Sequence, residues 1–144
     1  MPFNTKGVGD AEYVYLCENL LLPILREFQP ELILISSGFD SAVDDPLGGF
    51  CITPQGYSYM THALVSVCPR VLAVLEGGYN IEVIPHCAEA VIRSLQGEKP
   101  PFKNDPYSNG QTIKEMIANC KPKECARSTL IRVAKELEKY WQCI

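Results

Sequence analysis

Two short runs constrain this chain more than anything else in it: Leu32-Ile33-Leu34-Ile35 and Val71-Leu72-Ala73-Val74-Leu75 are unbroken stretches of β-inclined apolar residues, each leading into glycine. A strand wet on one face alternates apolar with polar, so unalternating runs predict strands covered on both faces, as in a parallel sheet. Parallel strands need a crossover, and helical patterns surround both runs. Before the first, Tyr13, Leu16, Cys17, Leu20, Leu21, Ile24, Leu25 and Phe28 recur at intervals of three and four, with Asp10 as the expected N-cap, Pro23 as the expected bend and Gln29-Pro30 as the stop. Between the runs, Thr53-Pro54 reads as an N-cap followed by proline at the first helical position, and Pro69 ends that helix. After the second run, residues 81–95 read as helix up to Gly97. The order helix, strand, helix, strand, helix predicts an α/β parallel sheet flanked by helices.

A chain of 144 residues supports one core. Its 47% apolar and 21% charged residues exclude disordered and low-complexity classes. A formal net charge of -4 provides no basic field for a phosphate backbone, so no direct nucleic-acid partner is expected. Seven cysteines without repeated spacing, most of them in apolar runs, suit small buried thiols in a reducing compartment. No stretch approaches a membrane span and the amino terminus lacks a targeting pattern, which predicts a nuclear or cytoplasmic protein with no membrane partner. Residues 99–112 read as a polar loop, and Lys123 to Cys143 as an amphipathic helix packing back on the sheet layer. Residues 1–98 and 99–144 are thus expected to form one domain.

In open α/β sheets, ligands bind beyond the carboxyl ends of the strands. The first such end reads Ser36-Ser37-Gly38-Phe39-Asp40-Ser41-Ala42-Val43-Asp44-Asp45-Pro46-Leu47-Gly48-Gly49, and the second Glu76-Gly77-Gly78-Tyr79-Asn80. Asp40 has the chemistry of a hard metal ligand, and Tyr79 on a glycine turn that of an oxyanion donor. Spacing alone favours Asp40 as a turn residue or helix cap, and Gly77-Gly78-Tyr79 as a tight turn with a packed ring.

The strings Ile35-Ser36-Ser37-Gly38-Phe39-Asp40-Ser41-Ala42, Asp45-Pro46-Leu47-Gly48-Gly49, Gly56-Tyr57 with Met60-Thr61, and Leu75-Glu76-Gly77-Gly78-Tyr79-Asn80 together resemble the zinc-dependent histone deacetylases, class II above all. The resemblance implies an arginase/deacetylase-like fold, represented by its C-terminal portion. It also implies deacetylation of N-acetyl-lysine in proteins, zinc as cofactor and acetylated proteins as partners, with corepressor-type proteins beside them in chromatin regulation and transcription repression. Residue by residue, it implies Asp40 as a zinc ligand and Tyr79 as the phenol that binds the substrate carbonyl and its tetrahedral intermediate. Gly77 and Gly78 become backbone contacts to substrate, and Leu47 the rim of the acyl-lysine tunnel. A leucine at that rim favours acyl-lysine over an acetylpolyamine, whose second ammonium would want an acid there.

This chain departs from the family pattern in having no tandem histidines and no Asp-x-His pair. His62 and His86 both fall in helical runs. A catalytic zinc takes three protein ligands, and Asp40 is one; Asp40, Asp44 and Asp45 as a cluster suit Mg²⁺ or Ca²⁺ better. These residues alone are therefore expected to hold zinc weakly at best and to show no turnover. An alternative follows: a catalytically incomplete fragment or truncated isoform that serves as an interaction module. Cys120 and Cys125 have no second pair nearby to complete a metal site, and no phosphate-loop pattern occurs.

Overall fold

A computed structural model describes residue 3, residues 5–102 and residues 105–144; Met1, Pro2 and Asn4 of the expected first unit, and positions 103 and 104 of the expected polar loop, lie outside them. Helix α1 (Asp10–Leu16) continues through a π-helical turn, Cys17–Leu21, into α2 (Leu22–Phe28). Pro23 explains the turn. Without an N–H it cannot pair with the carbonyl four residues back, and one extra residue is absorbed so that Leu22 N–H donates to Cys17 O instead. Gln29, left-handed at φ 53°, closes α2.

Strand β1 (Ile33–Gly38), helix α3 (Pro54–Val67) and strand β2 (Val71–Gly77) form a β–α–β unit, and the strands pair in parallel from Ile33↔Val71 to Ser37↔Leu75. An irregularity after Ser37 then sets Gly38 opposite Gly77. Helix α4 (Ile84–Leu95) follows, three residues later than the apolar pattern predicts, because residues 81–83 form a turn over Asn80: Asn80 Oδ1 accepts from Glu82 N and its carbonyl from Val83 N and Ile84 N. Thr53 caps α3 as predicted, its hydroxyl accepting from Gly56 N. Helices α3 and α4 pack closely through small polar residues, with a 2.8 Å hydrogen bond between the fully buried Ser58 and Ser94 hydroxyls.

Asp10 is not the N-cap of α1. Gly9 holds that position, its N–H donating to Glu12 Oε2 at 2.8 Å, and the Asp10 carboxylate reaches across to accept from Thr53 N at 2.9 Å and Thr53 Oγ1 at 2.6 Å. Burial pushes the Asp10 carboxyl above its usual range, and the Thr53 bonds oppose that shift. Gly56 leaves the room: a Cβ there would sit 2.2 Å from Asp10 Oδ1.

Phe39, Ala42, Ile52, Tyr57, Val83, Cys87 and Val91 make one core cluster, with Ala73 of β2 packed against it; Val14, Cys17, Leu22, Tyr59, Ala63 and Met116 make a second, and Met60 touches both. The strands are not covered on both faces. Ile35 and Ala73 are half-buried, whereas Leu34, Leu72 and Val74 are 67%, 54% and 50% exposed, so burial alternates along runs that do not alternate in sequence. The apolar residues of the second face have no covering layer among the described residues. Exposed apolar faces of this kind associate. The 144-residue chain is expected to form concentration-dependent oligomers in sedimentation velocity, and Leu34→Lys with Val74→Lys to reduce them; a monodisperse, cooperatively melting wild-type monomer would refute this.

Beyond α4, a short helix α5 (Ile113–Ala118) occupies part of a stretch with no predicted element. Its signal is local: Thr112 accepts from Glu115 N, and the Glu115 carboxylate accepts from Thr112 N. Helix α6 (Glu124–Leu137) is shorter than the predicted amphipathic stretch and rests chiefly on α1, not on the strands. Glu12 fixes that seat, its Oε1 accepting from Lys123 N at 2.9 Å, and the chain end returns to α2, where the Glu27 carboxylate accepts from Gln142 N and Cys143 N. All seven cysteines are free thiols. No helix among the described residues is long and apolar enough to cross a membrane.

Candidate active site at the strand ends

Beyond the paired glycines 38 and 77, the two strands release their chemistry side by side. Phe39 N–H donates to Gly77 O at 2.8 Å, which extends the sheet by one bond, and its ring turns inward onto Tyr57 with centroids 5.1 Å apart. Asp40 opens the turn that follows and is exposed. Glycines surround it. A Cβ on Gly38 would lie 3.3 Å from Asp40 Oδ1, one on Gly77 3.7 Å from Oδ2, and one on Gly48 only 1.6 Å from the Asp40 carbonyl oxygen. The loop from residue 41 to 49 therefore folds back against Asp40 at a distance that only glycine allows.

Behind Asp40 lies a hydroxyl pair, Ser41 Oγ and Tyr57 Oη, 2.9 Å apart. Burial raises the Tyr57 phenol's pKa, and burial followed by the Asp40 charge raises that of Tyr13, so both stay neutral near pH 7.

On the second strand end, Gly78 adopts φ 122°, and a Cβ there would meet Phe39 Cβ at 2.9 Å. The Gly77-Gly78 turn thus passes closely over Phe39 and presents Tyr79 to solvent. The carboxylate of Asp45, only 7% exposed, accepts from Leu47 N at 2.8 Å and Gly48 N at 3.0 Å through Oδ1, and from Tyr79 N at 2.8 Å through Oδ2. Burial pushes this carboxyl up, but the N–H groups of Gly48, Leu47, Tyr79 and Asn80 outweigh it and hold the group below the usual carboxylate range. Leu47 itself is exposed.

Asp40 and Leu47 therefore lie on the loop that leaves β1, and Gly78 and Tyr79 on the one that leaves β2 directly after its last residue, Gly77. The carboxylates of Asp40, Asp44 and Asp45 do not make the hard-cation cluster their spacing suggests: Asp45 is turned inward onto backbone N–H groups, and among the described residues no group of three or more His, Cys, Asp or Glu side chains could hold a metal ion. His62 lies in α3, its pKa lowered by burial and then by Lys99, and His86 lies in α4 with its ring 5.4 Å from that of Tyr107. The donors of this chain do not by themselves fit a catalytic zinc, which takes three protein ligands where Asp40 offers one. The Asp-x-x-Gly spacing over 45–48 signals the local half of the Asp45 role, and nothing local signals Tyr79.

The site is thus a carboxylate and a phenol on glycine-lined loops at the ends of a β–α–β unit. The family model for the histone deacetylase domain matches residues 1–95, and the chain belongs to that family. Histone deacetylase HDA1 of Saccharomyces cerevisiae is 40% identical over 138 residues, 95% of this chain and 18% of that protein. Polyamine deacetylase HDAC10 of Homo sapiens is 39% identical over 122 residues, 84% of this chain and 18% of that protein. The solved structure of histone deacetylase Clr3, whose Schizosaccharomyces pombe sequence is also a relative, matches with TM-score 0.82 at 34% identity, covering 99% of this chain and 22% of that one. The chain thus spans about a fifth of the length of these relatives.

Proposed function

We propose that this chain carries the carboxylate-and-phenol part of a deacetylase site that hydrolyses N-acetyl-lysine amides in proteins, with Asp40 as one metal ligand and Tyr79 as the oxyanion donor. The observation that carries this reading is the placement of both residues two positions beyond the paired Gly38 and Gly77 on adjacent parallel strands. Asp40 brings one carboxylate toward a zinc and no more, so the chemistry derived for this chain is that of its own groups. The Tyr79 hydroxyl, on an exposed turn, donates to the oxygen on which charge develops as the acetyl carbonyl is attacked. The Gly77 carbonyl, with one lone pair engaged by Phe39 N–H, keeps a second for the substrate amide. Leu47 packs on the methylene stem of the acyl-lysine. The substrate is an acetylated protein, met in the nucleus or cytoplasm, with corepressor-type proteins as further partners.

The test is acetate release from an acetyl-lysine peptide by a complete domain that contains this chain, measured beside an N-acetylpolyamine. The expected kcat/KM ratio favours the peptide. Leu47→Glu is expected to move the ratio toward the polyamine by roughly two- to five-fold, the scale of one exposed charge pair. A wild-type preference for the polyamine would overturn the substrate assignment, and no release from either would overturn the reaction.

A further inference from the structure

We infer that Asp45 is a positioning residue that locks the Tyr79 loop to the Asp40–Leu47 loop through its buried carboxylate and so sets where the Tyr79 phenol stands relative to Asp40. The inference deepens the deacetylase reading and rests on it for its catalytic consequence.

Three features carry it. First, the bonds are divided between loops: Oδ1 holds Leu47 N and Gly48 N in its own loop, and Oδ2 holds Tyr79 N, 34 residues away. Second, every partner is a donor. A carboxylate is an acceptor at both oxygens, whereas an amide of the same shape must turn an NH₂ toward one of these N–H groups. No basic side chain forms an ion pair with Asp45 among the described residues, so the N–H groups alone compensate the charge. Third, the surrounding chain is shaped to deliver that carboxylate. Asp44 takes the left-handed φ of 60°, which turns the backbone just before Asp45, and Asn80 Nδ2 donates to the Asp44 carbonyl at 3.0 Å. The ties at Asp45 and Asn80 bracket Tyr79 from both sides along the chain, and the anchored peptide N–H leaves the phenol as the free end of the turn.

Asp45→Asn keeps the volume and is expected to keep the Oδ1 bonds to Leu47 and Gly48 while setting an NH₂ against Tyr79 N–H. Amide hydrogen exchange on this chain should then show protection at Tyr79 reduced at least ten-fold, with α3 and β1 unchanged. Asp45→Ser is the second variant: its hydroxyl is able to serve its own loop but is too short to reach Tyr79, and the same selective loss is expected. Unchanged protection at Tyr79 in a folded variant overturns the lock. In a complete, active domain, Asp45→Asn should lower kcat for the acetyl-lysine peptide ten-fold or more with little change in KM. Combined with Tyr79→Phe it should add almost nothing, because the lock acts through the phenol. Full multiplication of the two losses overturns that route. An inactive wild-type domain would overturn the deacetylase reading, and the exchange measurement would still decide the lock.

Discussion

Tyr79→Phe will lower acetyl-lysine turnover by roughly 10² to 10³, the loss found when one oxyanion donor is removed. The substitution deletes one oxygen and nothing else. Tyr79 is held by its peptide N–H on Asp45 and by the Gly78 turn beneath it, neither of which involves the phenol, and its ring is exposed. Stability should therefore stay within about 0.5 kcal/mol of wild type, as for surface substitutions away from special features. The loss should appear in kcat and kcat/KM together, since the bond strengthens only as charge develops on the substrate oxygen. Single-turnover kinetics with saturating acetyl-lysine peptide in a complete domain measures it. Turnover equal to wild type would remove Tyr79 from the reaction and leave it a turn residue with an exposed ring.

The parts of this fold that were legible in the sequence are those whose cause is local. Thr53-Pro54 announces the start of α3 because a hydroxyl, a fixed φ and a missing N–H all act within one turn, and Pro69 ends the helix for the same kind of reason. The strand-end rule placed Asp40 and Tyr79 together because it needs only the identity of two strands and their parallel pairing. What was not legible depends on partners far along the chain. Asp10 looks like an N-cap until Thr53, 43 residues on, takes its carboxylate. Asp45 looks like a turn residue until Tyr79 N–H arrives. The apolar runs themselves state a need for two covered faces, and the described residues bury one; the pattern reports what the strands tolerate, not which layers are at hand. Helix α6 was readable as amphipathic, but amphipathicity does not name the surface it meets, which Glu12 decides through Lys123 N.

Gly48→Ala will be the most destabilising single-methyl substitution in the site. Its added carbon would stand 1.6 Å from the Asp40 carbonyl oxygen and 2.7 Å from the carbonyl carbon, and backbone atoms cannot rotate away as a side chain would. Gly48 is not among the glycines with positive φ, so the loss is steric and not one of backbone conformation. Gly97→Ala provides the contrast: φ there is 88° and nothing lies within 4 Å of the new carbon, so it reports the conformational cost alone, about 1 kcal/mol. Overpacking costs about 1–3 kcal/mol in ordinary cores, and a clash with main chain belongs at or above the upper end. Each kcal/mol lowers Tm by about 2–8 °C over the size range that includes this chain. Because the atom struck is the carbonyl of Asp40, relief must move either that residue or the 41–49 loop, and Asp45 with it. Urea midpoints for the two variants and wild type measure the difference. A Gly48→Ala chain that melts with wild type would mean the loop does not lie against Asp40, and the glycine-lined seat of that carboxylate would be wrong.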